Sequence, residues 1–494
     1  MGRWRKMRIL YIDIDTMRPD HLGCYGYPKK TSPNIDKLAH DGIVFDNYYT
    51  SDAPCLPSRT ALFSGQFGIH TGVVNHGNTT SQLKIDPRRD FKHRFERESL
   101  FGMLRTHGFY TAGITPFASR HSAWYFYCGF NEIHDTGKFG DESAHDILPI
   151  AEKWLQEKGE KDSWYLHVNF WDPHTPYRVP MDYEHAIEKG DLPTWLTQEV
   201  FDEHHKMAGP HCAQEIGMYS DYENKAKFPR QMGRLDSLND VQDLYHGYDT
   251  GIKYADEAVG KLIQILKEKG IYEDTAIIIS SDHGETLGEM GIYAEHGLAD
   301  QMTCRLPMIV KWPGGLKGKR DSGLHYNVDL VPTIAEMIKY PHQSKHWDGK
   351  SFKDTVMEGK DTSHPFVVLS QMSHVAQRSV RFANYIYIRT YHDGYHFFPK
   401  HMLFDLEKDP YEQFNLASKR PEIVLQAESK LFAWTDEQMM KMEYKTDPLW
   451  QVIEEGGPFH ANGNLKRYCE THLVKTNRTK YIEAYKKIHP KEFK

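Results

Sequence analysis

Arg8-Ile-Leu-Tyr-Ile-Asp-Ile-Asp15 is a short, mostly apolar stretch that ends in an aspartate. Its length and composition predict a buried strand whose carboxyl end is polar. Later segments carry a similar pattern and also favour strands, at residues 43–49, 164–170, 275–281 and 308–314. The chain is therefore expected to contain a sheet built from short buried strands that are far apart in the sequence.

Helical patterns separate these strands. Ser32-Pro-Asn-Ile-Asp-Lys-Leu-Ala begins with a residue that favours helix starts, residues 57–65 favour a helix, and residues 240–269 form a long amphipathic one. Strands that alternate with helices predict an α/β fold with a large, mainly parallel sheet sandwiched by helices. Ligands bind such sheets at the carboxyl ends of the strands. The polar residues predicted at those ends are Asp15, Asp172, His174, Asp282 and His283.

The chain divides into two predicted parts. Residues 1–360 are expected to form the α/β domain, with residues 178–240 as a polar insertion over one end of the sheet. From about residue 365, short alternating segments separated by turns indicate an antiparallel meander. A smaller C-terminal α+β subdomain and tail is therefore predicted over 361–494. It contains a helix over 419–443 and a Lys-rich tail over 444–494 whose structure the pattern leaves open.

Composition excludes several classes of protein. Of 494 residues, 61 are Lys or Arg and 68 are Asp or Glu, which gives a net charge of −7 and argues against a nucleic-acid-binding protein. The mean hydropathy is −0.66, and no run approaches the roughly 18 apolar residues that a membrane span needs. The six cysteines are scattered without a C-x-x-C pair, which excludes a zinc ribbon and argues against a disulfide framework.

The first residues indicate where the protein is located. Only four largely apolar residues, Ile9 to Ile12, precede Asp13, which is too short for the apolar region of a signal peptide. A cytoplasmic protein is therefore expected. A periplasmic or secreted protein is the alternative if a leader was removed.

Ser51-Asp-Ala-Pro-Cys55-Leu-Pro57-Ser58-Arg59 places a cysteine at a predicted helix start. Pro57 lies near the first turn, where its missing N–H costs nothing. A nucleophile at this position would face free backbone N–H groups and the positive end of the helix dipole, and Arg59 adds a full charge. The arrangement predicts an anionic substrate.

Several motifs in order resemble one family. Cys55-x-Pro-Ser-Arg59 followed by Leu62-Phe-Ser-Gly65 resembles the signature of the type I sulfatases, formylglycine-dependent enzymes of the alkaline phosphatase superfamily. The segment from Asp15 to Gly26 resembles the family's first metal segment, Ser281-Asp-His-Gly-Glu285 its second, and residues 403–417 its C-terminal strand and turn. The resemblance covers roughly residues 8–418. It implies that a maturase oxidises Cys55 to formylglycine (3-oxoalanine), whose hydrate supplies the nucleophilic oxygen.

The resemblance also implies a divalent metal, Ca²⁺ in this family, with Mg²⁺ or Mn²⁺ as alternatives. Hard cations prefer oxygen ligands. The expected ligands are Asp15, Thr16, residue 55, Asp282 and His283. The family usually has a second aspartate where this chain has Thr16, so the site carries one formal negative charge fewer. Asp13, on the same face of the strand, is a reserve ligand.

Histidines and an arginine are expected around the sulfate. By resemblance, His174 contacts the sulfate and assists catalysis with Cys55 and Arg59. His296 stands where the family often has a lysine and, as a proton donor, would protonate the leaving oxygen. Arg120 and His121 are assigned to the place of a family segment that this chain does not preserve. Other histidines, which are abundant in predicted loops, are expected to be polar surface residues: His70, His76, His204, His205, His211, His392, His396 and His401. As an alternative that the resemblance implies, histidines near 392–401 or 460 line the substrate subsite, because the family's second domain packs beside the active-site cleft.

The sequence thus predicts a sulfuric ester hydrolase that releases sulfate, with a weak preference for a sulfated carbohydrate. One alternative is a phosphonate monoester or phosphodiester hydrolase of the same superfamily, since the same metal centre suits tetrahedral phosphorus. Another is an inactive relative that binds sulfated glycans. The intact Cys55, Arg59, Asp15 and Asp282 argue against the last of these.

Overall fold

The computed structural model describes residues 7–85, 93–217, 228–444 and 446–494. The strands in these ranges are β1 (Arg8–Ile14), β2 (Ile43–Tyr49), β3 (Asp52–Ala53), β4 (Tyr110–Ile114), β5 (Glu132–His134), β6 (Trp164–Phe170), β7 (Thr275–Ser280), β8 (Thr286–Leu287), β9 (Tyr293–Glu295), β10 (Arg305–Lys311), β11 (Lys319–Tyr326), β12 (Val367–Gln371), β13 (Ala376–Phe382), β14 (Tyr385–His392) and β15 (His401–Asp405).

The helices in the same ranges are α1 (Pro33–His40), α2 (Cys55–Ser64), α3 (Gly68–Thr71), α4 (Arg94–Glu98), α5 (Leu100–Thr106), α6 (Phe117–Arg120), α7 (Ala144–Lys158), α8 (Gln198–His204), α9 (Leu238–Glu268), α10 (Gln301–Cys304), α11 (Leu330–Met337), α12 (Lys353–Glu358), α13 (Pro421–Lys441), α14 (Pro448–Glu454), α15 (Leu465–Tyr468) and α16 (Ile482–Ile488). Among these helices, none combines the length and the apolar composition that a membrane crossing requires.

Eight strands form one large sheet in the order β11-β2-β10-β7-β1-β6-β4-β5. Neighbouring strands are parallel except around β10, which runs antiparallel to both β2 and β7. β1 lies between β6 and β7 and is parallel to both, so the carboxyl ends of these three strands meet at one edge. The predicted α/β fold with a mainly parallel sheet is confirmed.

Helices cover both faces of this sheet. Side chains of β1 alternate between the faces, as strand geometry requires, so Ile9 and Tyr11 join one buried cluster while Leu10, Ile12 and Ile14 join another. The first cluster includes α2, α5 and α11, and the second includes α1, α7 and α9. Because β1 is buried on both faces, its end at Asp15 is held rigidly.

A second sheet has the order β15-β14-β13-β12-β3. Its strands from the C-terminal region are antiparallel, which confirms the predicted meander, and α13 packs against it through Ile423, Ala427 and Leu431. The edge strand β3 comes from a distant part of the chain and pairs in parallel with β12. The second sheet therefore reaches to within two residues of Cys55.

Most predicted elements occur within a few residues of their expected bounds. The helix over 240–269 is α9, that over 419–443 is α13, and that over 57–65 is α2, which begins at Cys55 itself. The strand predicted to start at Met308 begins earlier, at Arg305. The tail, which the pattern left open, contains α14, α15 and α16, and it buries Leu465, Tyr468 and Tyr485 against Tyr395.

Candidate active site

The carboxyl ends of β1 and β7 bring two carboxylates together above the sheet. Asp15 follows β1 and Asp282 follows β7, and both are fully buried. The N-terminal end of α2 approaches the same point, because the β3–β12 pairing fixes the chain just before Cys55. Gly65, in the left-handed conformation at φ 68°, ends α2 and allows the chain to turn away.

Arg59, on the first turns of α2, joins three carboxylates. Its Nε donates to Asp13 Oδ2 at 2.7 Å, Nη1 donates to Asp282 Oδ2 at 2.7 Å, and Nη2 donates to Asp15 Oδ2 at 2.9 Å. All four side chains are buried. Asp13 therefore contacts Arg59 through Oδ2, as Asp15 and Asp282 do, and remains a reserve ligand through Oδ1.

Three carboxylates and one guanidinium leave two formal negative charges in a buried site. Burial raises the pKa of Asp15 well above its ordinary value, and Asp282 raises it further against the opposing effect of Arg59. Asp15 Oδ1, Asp13 Oδ1 and Thr16 Oγ1 are buried without a hydrogen-bond partner. Buried charge and unsatisfied oxygens are costly, and a divalent cation with oxygen ligands would compensate both. The donor set thus fits a Ca²⁺-type ion.

Thr16 adopts an unusual backbone conformation beside these carboxylates. Its φ is 54°, which is rare for a β-branched residue, and its N–H lies 3.4 Å from Asp282 Oδ1. The Tyr248 hydroxyl donates to its carbonyl oxygen at 2.7 Å and stabilises this conformation. Such strain is typical of functional sites.

Cys55 lies at the bottom of the site and contacts two histidines. Its Sγ is 3.1 Å from His283 Nε2 and 4.0 Å from His174 Nε2. Burial raises the pKa of the thiol well above its ordinary value, and Asp15 and Asp282 raise it further, whereas Arg59 lowers it by less. Burial and the two carboxylates therefore oppose ionisation of the thiol more strongly than Arg59, whose nitrogens donate to carboxylates, favours it.

Backbone carbonyls orient both histidines. His283 Nδ1 lies 2.9 Å from the carbonyl of Gly284, and His174 Nδ1 bonds the carbonyl of Thr175. Each Nδ1 must therefore carry the proton, which leaves Nε2 as an acceptor facing Cys55 in the neutral ring. Burial lowers the pKa of His283 to about 3 and that of His174 well below its ordinary value. Both shifts favour the neutral ring, in which Nε2 is an acceptor.

His296 completes the group of imidazoles around Cys55. Its ring centroid is 4.2 Å from that of His283 and 5.2 Å from that of His174. Its Nε2 is 3.1 Å from Glu295 Oε1, and its Nδ1 is 3.7 Å from Glu285 Oε2. Burial raises the pKa of Glu285 to about 7, although contacts with His296 and Tyr177 lower it.

Comparisons with known families identify the relatives of this chain. Residues 8–340 match the family described as Sulfatase, and residues 288–437 match the family described as N-sulphoglucosamine sulphohydrolase, C-terminal. The first match spans more than half of the chain. The chain belongs to the sulfatase family. Like its named relatives, this sulfatase is a sulfuric ester hydrolase.

Individual proteins resemble this sulfatase along most of its length. A choline-sulfatase of Rhizobium meliloti is 28% identical over 430 residues, which cover 78% of this chain and 77% of that protein. A phosphonate monoester hydrolase of Agrobacterium radiobacter has a similar fold, with a TM-score of 0.69, 20% identity, and coverage of 88% and 96%. A structure solved with its substrate D-glucosamine-2-N,6-O-disulfate has a TM-score of 0.67, 17% identity, and coverage of 90% and 99%.

The sulfatase places Arg120 and His121 at the rim of the site. The Arg120 side chain is exposed, donates to the carbonyl of Phe139 at 2.9 Å and lies 5.7 Å from the centre of the Trp171 ring. His121 packs against Phe117 and His76, with ring centroids 5.1 Å apart in each case. His121 Nε2 is buried without a hydrogen-bond partner.

Asp172, which was predicted at a strand end, contributes to the fold instead of to the metal site. Its Oδ2 accepts a hydrogen bond at 2.7 Å from the N–H of Ala144, at the start of α7. It thereby fixes the turn that presents His174. Arg178, which sequence reasoning missed, donates at 2.8 Å to the carbonyl of His174 and is buried.

Several histidines that were expected on the surface are packed inside this sulfatase. Of the eight assigned there, His204 and His211 are buried and the other six are half-buried. His76 Nδ1 lies 3.0 Å from His460 Nε2, and the His460 ring stacks on His374 at 4.3 Å. The polar-surface expectation is therefore wrong for these residues, and His76, His374 and His460 form a wall of imidazoles beside His296.

Proposed function

We propose that this sulfatase hydrolyses a sulfate ester of a carbohydrate, with formylglycine at position 55 as the nucleophile and Ca²⁺ as the metal. The observation that carries the proposal is the position of Cys55. It is buried at the start of α2, beside Asp15, Asp282 and Arg59, with two imidazole acceptors facing it. A nucleophile at that position lies at the N-terminus of a helix, which favours anions, and it faces proton acceptors.

Asp15 and Asp282 would hold the metal, with Thr16 Oγ1 and the oxygen of the modified residue 55 as further donors. His283, in contact with Cys55, is better placed to act on residue 55, since Ca²⁺ prefers oxygen ligands over imidazole. When bound, the metal supplies positive charge for the sulfate oxygens. Arg59 keeps the three carboxylates in place around it.

Different histidines of the chain accept and donate the protons of the reaction. His283, held with Nε2 toward residue 55, accepts a proton from the nucleophilic oxygen. His174 faces the same point at 4.0 Å from Sγ and contacts the sulfate. His296 donates a proton to the departing oxygen of the alcohol, and Arg120 attracts the anionic substrate at the rim. His121 is the alternative donor.

A sulfated carbohydrate is the substrate class that we favour. The half-buried imidazoles of His76, His121 and His460 line one side of the site, and they offer donors and acceptors for hydroxyl groups. One protein of similar fold was solved with its sulfated glucosamine substrate. The relative that is a choline-sulfatase suggests choline as an alternative to a carbohydrate. A panel of sulfated sugars should therefore be compared with choline sulfate.

Mass spectrometry tests the nucleophile. In protein made together with a formylglycine-generating maturase, the peptide that contains residue 55 should be lighter than its cysteine form, because an aldehyde replaces the thiol. Cys55→Ala should abolish sulfate release. Cys304→Ala is the matched control, since Cys304 is also fully buried. An active protein that contains only unmodified thiol at residue 55 would overturn the assignment.

The dependence on the leaving group tests the proton donor. His296→Gln should lower kcat/KM about 10²–10⁴-fold for a sugar sulfate, and far less for a nitrophenyl sulfate whose leaving group needs no proton. If His121→Gln lost activity in this way and His296→Gln kept its activity, His121 would be the proton donor.

A phosphonate monoester or phosphodiester hydrolase is the second candidate. It is favoured by the fold shared with the Agrobacterium enzyme. Turnover of an aryl sulfate should exceed turnover of the matching aryl phosphonate, and the reverse order would establish the second candidate. A third reading, an inactive protein that binds sulfated glycans, predicts no turnover of any ester by fully modified protein.

A further inference from the structure

A second cluster of metal-ligating side chains surrounds Glu295 at the end of β9. Glu295 Oε2 is 2.9 Å from His211 Nε2, and Glu295 Oε1 is 3.5 Å from His374 Nε2. Ligand atoms of these three residues all lie within 4.8 Å of one another, and each side chain is more than nine-tenths buried. The three residues come from the insertion, from β9 and from the turn after β12.

The contacts inside this cluster converge on the Glu295 carboxylate. His211 Nε2 lies 2.9 Å from Glu295 Oε2, and His211 Nδ1 is buried without a hydrogen-bond partner. A buried polar atom without a partner is destabilising. Two imidazoles that face one buried carboxylate from different segments are arranged as ligands around a common ion would be.

Strained backbone lies at His211 and directly before Glu295. His211 has a φ of 62° and Ala294, next to Glu295, has a φ of 51°. The N–H of Tyr293 donates to the carbonyl of His211 at 2.9 Å and joins the two segments. Non-glycine residues in this region are strained and cluster at functional sites.

His374 is positioned by a specific set of hydrogen bonds. Gln371 Oε1 accepts from the N–H of Ser373 at 2.7 Å and from that of His374 at 3.1 Å. Gln371 Nε2 donates to the carbonyl of His296 at 2.9 Å. The His460 ring stacks on His374 with centroids 4.3 Å apart. The second sheet thus holds His374 at a fixed place beside His296.

We propose that His211, Glu295 and His374 form a second metal site, which binds a first-row transition ion such as Zn²⁺. Two imidazoles and one carboxylate favour Zn²⁺ and its neighbours, whereas the carboxylate-rich site at Asp15 and Asp282 favours Ca²⁺. The ion would join the insertion, β9 and the second sheet. It would also fix Glu295, whose Oε1 contacts His296.

Cobalt binding tests the proposal without reference to turnover. The full chain carrying Cys55→Ser, saturated with Ca²⁺, is titrated with Co²⁺, so that no thiolate at residue 55 contributes to the spectrum. We expect one Co²⁺ per chain, with visible absorption typical of nitrogen ligation in a site of low coordination number. His211→Gln and His374→Gln in the same background should weaken binding at least tenfold.

His204→Gln is the matched control, because His204 is buried in the same insertion but contacts Tyr293 Oη at 2.7 Å instead of Glu295. It should bind Co²⁺ like the Cys55→Ser parent. Circular dichroism identifies any variant that fails to fold, and anomalous diffraction at the zinc edge then locates the ion in Zn²⁺-soaked Cys55→Ser crystals. A peak between His211, Glu295 and His374 supports the proposal. No bound ion, a peak only at Asp15, or equal binding by the His211 and His374 variants would overturn it.

Discussion

Replacing Arg59 with leucine should destabilise the protein in a way that depends on metal. Arg59 is fully buried and donates three hydrogen bonds of 2.7, 2.7 and 2.9 Å to Asp13, Asp282 and Asp15. Removing one partner of a buried ion pair costs about 3–5 kcal/mol. Because three carboxylates lose their partner, we expect Arg59→Leu to reach at least the upper end of that range without metal at pH 7.5.

Calcium should restore more stability to Arg59→Leu than to the wild type. The variant keeps all three carboxylates but lacks the competing cation, so it should bind Ca²⁺ more tightly. An ion present at 100 times its Kd stabilises the fold by about 2.7 kcal/mol, and each further tenfold in affinity adds about 1.4 kcal/mol. The free energy of unfolding is measured by urea denaturation, followed by circular dichroism, with EDTA and with Ca²⁺.

Arg378→Leu is the control for this experiment. Arg378 is also buried and donates to both oxygens of Asp447, at 2.6 and 2.7 Å, outside the candidate metal site. It should lose a similar 3–5 kcal/mol, and Ca²⁺ should stabilise it no more than the wild type. If Ca²⁺ stabilised Arg59→Leu no more than it stabilises the wild type, the inference that these carboxylates hold a cation would be refuted.

Further predictions concern single residues. In urea denaturation, Glu285→Gln should stabilise the protein by about 2–3 kcal/mol more at pH 8 than at pH 4, because burial raises the folded-state pKa of Glu285 to about 7. The wild type therefore loses stability as pH rises from about 4.5 to 7, whereas the variant does not. If the variant differed from the wild type by the same free energy at both pH values, this prediction would be contradicted. Trp434→Ala should lower the free energy of unfolding by about 3–5 kcal/mol in the same assay, because Trp434 is buried and its ring lies 5.4 Å from that of Phe67. A loss below 1 kcal/mol would show that α13 does not depend on this contact. Gly65→Ala should lower thermal stability by about 1–2 kcal/mol, which is more than Gly108→Ala should lower it. Both glycines have positive φ, but only at Gly65 would a Cβ meet Trp347 and Val331. Equal losses in the two variants would assign the effect to φ alone.

The sequence predicts the fold and the centre of the site for a physical reason. Buried strands are readable as short apolar runs, and parallel strands end at one edge, so Asp15 and Asp282 are predicted together although they are far apart in the chain. His174 and His283 follow from the same rule. Asp172 obeys the rule in position but caps α7, because the pattern does not reveal the direction of a side chain.

Periodicity does not predict the wall that His76, His374 and His460 form beside His296. These residues lie in loops, and they meet only because the second sheet and the tail fold back over the site. Of the three, the family resemblance offered only the region of His460 as a lining of the substrate subsite. The raised pKa of Cys55 was missed for a related reason. Position on a helix indicates a dipole, but burial and nearby carboxylates from other strands outweigh it.

The pairing of β3 with β12 has a mechanical consequence. Asp52 and Ala53 are the edge of the second sheet, and Cys55 follows two residues later, while Gln371 at the end of β12 bonds the carbonyl of His296. Any rotation of one sheet against the other would displace Cys55 and His296 together. We therefore expect substrate to enter by movement of rim loops such as that carrying Arg120, with the two sheets acting as a single rigid frame during turnover.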